Sequence, residues 1–78
     1  MTPTSAQFHA ARALAGMTKS ELATASQVAK SKIGAVESSG AEPPGKAKTL
    51  SALQATLEAA GVEFIPGGVR LREQKAVG

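Results

Sequence analysis

The sequence is first informative through the residues it lacks. Its 78 residues include no cysteine, tryptophan or tyrosine, only two phenylalanines and a single histidine. Without cysteine there is neither a disulfide framework nor a thiolate metal site, and His9 alone does not make a zinc site. Two aromatic side chains give no stacking platform for single-stranded nucleic acid. We therefore expect no metal or cofactor, and stability that comes from helix packing or self-association.

Long apolar runs and catalytic constellations are also missing. No apolar run approaches the 18 residues of a membrane span, and no signal peptide is visible. We therefore expect a soluble cytoplasmic protein with no membrane partner. The sequence shows no Ser/His/Asp set, paired carboxylates or phosphate-binding glycine loop, so we expect that it is not an enzyme. Its length makes one small domain, which buries about 60% of its unfolded surface.

The charge of the chain favours an anionic partner. The formal net charge is +3 and the pI is near 9.7. Five lysines fall in the middle of the chain, at Lys19, Lys30, Lys32, Lys46 and Lys48, and three acids share that span, at Glu21, Glu37 and Glu42. Lysines scattered over a solvated surface would look the same, so charge alone leaves both interpretations open.

Capping signals and apolar spacing predict four helices. Residues 1–4 are expected to be loose, and Thr4 or Ser5 can cap a first helix over residues 5–15. Its predicted apolar face is Phe8, Ala11, Leu14 and Ala15, and Gly16 ends it. The sequence T-K-S-E, from Thr18 to Glu21, is typical of a capping box and predicts a second helix over residues 19–25.

A third helix is predicted over residues 30–38, although Gly34 costs it about 1 kcal/mol relative to alanine. Pro43 and Pro44 then predict a loop over residues 38–45. A fourth helix follows over residues 46–60, with an apolar stripe of Leu50, Leu53, Leu57 and Ala60, and Gly61 ends it.

The segment VEFI-PGG-VRLR predicts a β-hairpin over residues 62–72. A two-residue Gly67-Gly68 turn would pair Phe64 with Leu71 and Glu63 with Arg72, whereas a three-residue loop would pair Phe64 with Arg70. We favour the first register, because it puts Val62, Phe64, Val69 and Leu71 on one apolar face. Residues from 73 onward are expected to fray.

The stretch from residue 17 to residue 37 carries a tighter pattern. Small or apolar residues recur as two crossing helices require, at Met17, Leu22, Ala23, Ser26, Val28, Ile33 and Val36. This segment resembles the helix-turn-helix of the Xre/Cro/C1-type DNA-binding regulators, and the resemblance extends over about residues 7–72. The chain has Ser26 and Gln27 where alanine and glycine are usual, so Gln27 would need a positive φ. An ordinary αα-hairpin in another small bundle is the alternative.

The resemblance implies a mainly α, lambda-repressor-like bundle of four to five short helices with a C-terminal β-hairpin. Residues 1–61 would form the DNA-binding domain, and residues 62–78 an extension for packing and dimerisation. Arg12 and Glu37 match family positions joined by a structural ion pair between the first helix and the end of the third. Two unrelated surface charges are the alternative for these residues.

In helix-turn-helix proteins, the N-terminal part of the recognition helix meets the bases. The expected DNA-binding residues are Thr18, Lys19, Ala29, Lys30, Ser31, Lys32, Gly34, Ala35 and Lys46. Lysine can donate to guanine, serine can use either kind of base-edge group, and alanine can contact a thymine methyl. Thr18 and Lys19 begin a helix, where free amides favour a phosphate. For Lys32, contact with a base or with a phosphate both stay open.

The function that the resemblance implies is transcription regulation through double-stranded DNA, by a homodimer on an inverted-repeat operator. Proteins this short in the family often come from mobile genetic elements. We expect dimerisation through the hairpin, with a helix 4 interface as the rival; the residues concerned are Phe64, Ile65, Val69, Arg70 and Leu71. A protein–protein adaptor or antiactivator on the same fold, without DNA binding, is the alternative function.

Overall fold

The computed structural model describes residues 3–40 and 43–72, and over these residues the chain is mainly helical with a C-terminal two-stranded hairpin. The elements in chain order are α1 (Ser5–Leu14), α2 (Lys19–Ser26), α3 (Lys30–Ser38), α4 (Ala47–Ala59), β1 (Val62–Ile65) and β2 (Gly68–Leu71). The four predicted helices and the predicted hairpin are confirmed, with ends that differ by one residue at most. The expected fraying from residue 73 lies outside the described residues.

Reciprocal hydrogen bonds fix the starts of the first two helices. The Thr4 amide donates to Gln7 Oε1 at 2.8 Å, and the Gln7 amide donates to Thr4 Oγ1 at 3.2 Å. Thr18 and Glu21 form the same capping box at α2, as predicted. Each box satisfies two amides that a helix start leaves without partners. The expectation of a loose start is wrong for residues 3 and 4, because Pro3 is buried and Thr4 is the cap.

The turn between α2 and α3 forms without the usual glycine. Gln27 takes the left-handed conformation, with φ 62° and ψ 28°, and its amide donates to the carbonyl of Ala23 at 2.8 Å. Ser26 Oγ donates to the Leu22 carbonyl at 2.7 Å and accepts from the Val28 amide at 3.3 Å. The serine hydroxyl therefore joins the end of α2 to the turn, and the predicted positive φ at Gln27 is confirmed.

The core lies where all four helices and β1 meet. Its buried members are Phe8, Ala11, Leu22, Val28, Ile33, Val36, Leu50, Leu53, Leu57 and Val62. Helix α1 packs against α3 and the hairpin, while α4 packs against α2 and β1. The predicted apolar face of α1 is wrong at one residue, since Leu14 in its last turn is 39% exposed.

The hairpin register differs from both predicted registers. Val62 pairs with Leu71, Glu63 with Arg70, and Phe64 with Val69. The turn is Pro66-Gly67, and Gly67 has φ +76°. Proline followed by a positive-φ glycine is the signature of a type II turn, which fixes the turn one residue earlier than Gly67-Gly68. Relative to the favoured register, the partner of each β1 residue shifts by two positions along β2. Because side chains alternate between the two faces of a strand, the same residues stay on the apolar face although each has a different cross-strand partner.

The hairpin is tied to the helices at both ends. Gln7 Nε2 donates to the carbonyls of Ile65 and Gly68, at 2.8 and 3.0 Å. Phe8 and Phe64 pack edge to face, with ring centroids 5.8 Å apart. At the open end Arg72 Nη2 donates to the Glu58 carbonyl of α4 at 2.9 Å, and the Arg72 amide donates to the Gly61 carbonyl at 2.6 Å. The helices therefore supply the support that an isolated two-stranded hairpin lacks in water.

Candidate nucleic-acid interface

The inward side of α3 is fixed by the core and by a polar cluster. Ile33 and Val36 are buried. Glu37 receives Arg12 Nε at 2.8 Å and Arg12 Nη2 at 3.1 Å, which is the predicted ion pair with bidentate geometry. The side chains are almost enclosed, with 15% of Arg12 and 4% of Glu37 exposed. The pair therefore holds α3 against α1 in one orientation.

Two further contacts of this cluster were not predicted. His9 Nδ1 lies 3.0 Å from Glu37 Oε1, and Arg12 Nη1 donates to the Met17 carbonyl at 2.9 Å. The His9 side chain is 60% exposed. The signal for its contact was in the sequence, because positions 9 and 12 are neighbours on one side of a helix.

The cluster shifts the protonation of both partners. Burial raises the pKa of the Glu37 carboxyl, but hydrogen bonds from Arg12 and His9 outweigh it, and the pKa lies below its ordinary value of 4.5. The hydrogen bond to Glu37 raises the pKa of Arg12. Both groups are held in their charged forms, so the cluster is a structural ion pair at neutral pH.

The outward side of α3 has no bulky side chain at its centre. Because each residue turns the helix by about 100°, Ser31, Gly34 and Ala35 lie opposite the core face, with Lys30 and Lys32 on the two flanks. Gly34 is half-buried and the other four side chains are exposed. Among the predicted DNA-binding residues, these five form one continuous surface on a single helix.

The start of α3 is open. Ala29 is its exposed N-cap and provides no side-chain hydrogen bond to the helix. The Lys32 and Ile33 amides donate to the Ala29 carbonyl, at 2.9 and 3.1 Å. The two preceding amides, of Lys30 and Ser31, have no capping side chain. The lysine side chains and the N-terminal end of the helix dipole are both positive, so the electrostatic potential at this end of α3 is positive.

The start of α2 is less open than predicted. Thr18 is exposed and Lys19 is half-buried. The Thr18 hydroxyl accepts the Glu21 amide at 3.0 Å, and the Glu21 carboxylate accepts the Thr18 amide at 2.8 Å. A carboxylate therefore already occupies the cap, and an approaching phosphate has only the Lys19 side chain and the next free amides to meet.

Lys32 and Lys46 lie on the same groove. This groove, of about 500 Å³, is lined by Lys32, Ala35, Val36, Pro44, Gly45, Lys46 and Thr49. Its walls come from α3, from the loop before α4 and from the first turn of α4. Two cations on one groove beside the exposed side of α3 give that edge a positive potential.

The residues predicted for dimerisation are only partly available. Phe64 and Val69 pack against the core, and Ile65 is half-buried. Arg70 is exposed and forms an ion pair with Glu63. Leu71 is 56% exposed and, with Leu14, is one of two large hydrophobic side chains exposed in the described part of the chain. Leu71 is therefore the residue of this set most open to a partner.

The described residues contain no group of three or more histidine or acidic side chains placed to hold a metal ion. Among the same residues, no helix has the length and apolar character needed to cross a membrane. The chain matches no family model, no curated protein and no solved structure.

Proposed function

We propose that the protein is a sequence-specific regulator of transcription that binds double-stranded DNA, on a lambda-repressor-like helix-turn-helix fold of the Xre/Cro/C1 type. In this proposal α3 enters the major groove and α2 lies across the DNA backbone. Lys30 and Ser31 read base edges, and Ala35 contacts the groove floor. Such proteins act as dimers on inverted repeats, so we extend the proposal to a homodimer.

The observation that carries the proposal is the contrast between the two sides of α3. One side is fixed by the core and by the Arg12–Glu37 pair, while the other side is exposed and has a lysine on each flank. Recognition of a DNA groove requires a helix that is fixed on its inner side and exposed on its outer side. A mobile helix would lose conformational entropy on binding, and this loss would lower its affinity.

Phosphate contacts would flank the outer side of α3. Lys32 and Lys46 share one groove, which supports a single DNA strand that runs past both of them and a phosphate contact, rather than a base contact, for Lys32. Lys19 would contact the DNA backbone on the other side of the major groove. It would do so through its side chain, since the Glu21 carboxylate already accepts the Thr18 amide at the start of α2.

An adaptor without DNA binding is the second candidate function, and the small surface at Gly34 and Ala35 favours it. Salt dependence separates the two classes. A DNA-binding protein should lose affinity for random duplex steeply as salt rises, with a slope near −0.9 for each phosphate neutralised. Selection from a random duplex pool should then yield an inverted repeat. A flat salt response with no enriched sequence would favour the adaptor.

The dimer has a separate test, by light scattering. If the hairpin forms the dimer interface, Leu71→Lys should give a monomer, because it puts a charge at the most exposed apolar residue of β2. Ala55→Lys, at an exposed position of α4, is the matched control and tests the rival helix 4 interface. A dimeric Leu71→Lys protein beside a monomeric Ala55→Lys protein would move the interface to α4.

A further inference from the structure

Gly34 is a glycine that the fold itself does not require. Its φ is negative, whereas Gly16, Gly40, Gly45, Gly61 and Gly67 all have positive φ. A Cβ added at Gly34 would meet no atom within 4 Å. Glycine inside a helix is less stable than alanine, so the position costs stability and gains nothing from packing within the chain. Packing within the chain therefore gives no reason for glycine at this position, which directs attention to what could approach α3 from outside.

The surface around Gly34 offers almost no hydrogen bonds. Ser38 Oγ, one turn later, donates to the Gly34 carbonyl at 2.7 Å, and the Ser39 hydroxyl donates to the carbonyl of Ala35. Both hydroxyls are thus engaged with their own helix. Between the flanking lysines there remain the Ser31 hydroxyl one turn earlier, the bare backbone of Gly34 and the methyl group of Ala35. This surface suits an apolar feature that comes very close.

We infer that Gly34 is a specificity-determining residue that leaves room for the C5-methyl group of a thymine in the major groove. The inference rests on the proposed function. The thymine methyl is the one apolar feature that base pairs present in the major groove, and it projects from the groove floor toward a bound helix. With glycine at position 34, the helix backbone and the methyl group of Ala35 pack around the thymine methyl group. A Cβ at position 34 would occupy the space that the thymine methyl group fills.

The test combines Gly34→Ala with removal of the thymine methyl group. In the duplex selected by the wild-type protein, each thymine of one half-site is replaced in turn by deoxyuridine, which lacks only the methyl group. Binding is measured by fluorescence anisotropy. At one or two positions the wild-type protein should lose about three- to tenfold in affinity. Gly34→Ala should bind the thymine duplex more weakly by a similar factor, and deoxyuridine at the same position should restore part of that loss.

Folding is checked on the same variants. Gly34→Ala should raise the Tm by about 4–8 °C, because alanine favours the helix, so weaker binding could not come from unfolding. Ala55→Ser, which adds one atom at an exposed position of α4, should leave the thymine preference unchanged. If Gly34→Ala keeps the wild-type affinity and thymine preference, the inference is wrong while DNA binding stands. If the wild-type protein binds no duplex DNA, the proposed function fails and this inference fails with it.

Discussion

The two sides of α3 differ in what holds them. On the inner side, Ile33 and Val36 are buried and Glu37 accepts hydrogen bonds from two residues of α1. On the outer side, Ser31, Gly34 and Ala35 touch little of the chain. In this nine-residue helix, the inner side therefore contributes to the stability of the fold, while the outer side makes few contacts within the chain. Substitutions on the inner side should therefore change stability, and substitutions on the outer side should leave stability nearly unchanged.

The largest expected effect is on the inner side, at Ile33. Ile33→Ala should lower the free energy of unfolding by about 2–5 kcal/mol, because Ile33 is fully buried and its removal leaves a cavity. Urea denaturation followed by circular dichroism measures the change. Ser31→Ala, on the outer side of the same helix, is the control and should change stability by less than about 0.5 kcal/mol. If both variants lost the same free energy of unfolding, the two sides of α3 would not differ in their contribution to stability.

The next effect is at Glu37 and depends on pH. Glu37→Gln should cost about 2–3 kcal/mol at neutral pH, because it removes the charge-assisted hydrogen bonds to Arg12 and His9. The folded-state pKa of Glu37 lies below its ordinary value of 4.5. Its stabilisation is therefore fully present above that value and is lost as the pH falls through the folded-state pKa.

Chemical denaturation between pH 7 and pH 3 measures this contribution. The difference between the wild-type and Glu37→Gln proteins should shrink as the pH falls below 4.5. Glu63→Gln is a suitable control, because its partner Arg70 is exposed and surface ion pairs contribute little. A difference that stays constant over this range would mean that the Glu37 charge does not stabilise the α1–α3 contact.

A smaller effect is expected at the turn between α2 and α3. Gln27→Gly should raise the free energy of unfolding by about 1 kcal/mol, because glycine adopts φ 62° without the strain that a side chain imposes. Thermal denaturation measures it. Gln27 belongs to neither side of α3, so the DNA preference of this variant should stay that of the wild-type protein. A lower Tm would show that the glutamine side chain makes a contact worth more than the strain.

The local sequence predicted all four helices because their signals are local. The capping box at Thr18 and the apolar spacing in α4 act within one or two turns of chain. The bidentate pair of Arg12 with Glu37 came from the family resemblance instead, since 25 residues separate its partners. No local pattern could have given that contact.

The errors also have physical causes. The hairpin register was wrong because Gly67-Gly68 was favoured over the type II signal of Pro66-Gly67. The exposure of Leu14 depends on where α1 ends against its neighbours, which helical spacing alone does not reveal. For the candidate site, spacing predicted that Lys30, Ser31, Gly34 and Ala35 avoid the core face. That Gly34 has open space around it required coordinates.

The proposed reading of bases by the outer side of α3 is tested most directly by the ratio of affinities for selected and random duplex DNA. Lys30→Ala and Ser31→Ala should each lower specific affinity by about 1–3 kcal/mol, because in the proposed complex each removes a side chain that bonds a base edge, and binding to random duplex should weaken less. Lys19→Ala is the matched control. It should weaken binding to every sequence alike and reduce the salt slope by about one unit. If Lys30→Ala and Ser31→Ala both keep the wild-type ratio, α3 does not read the operator.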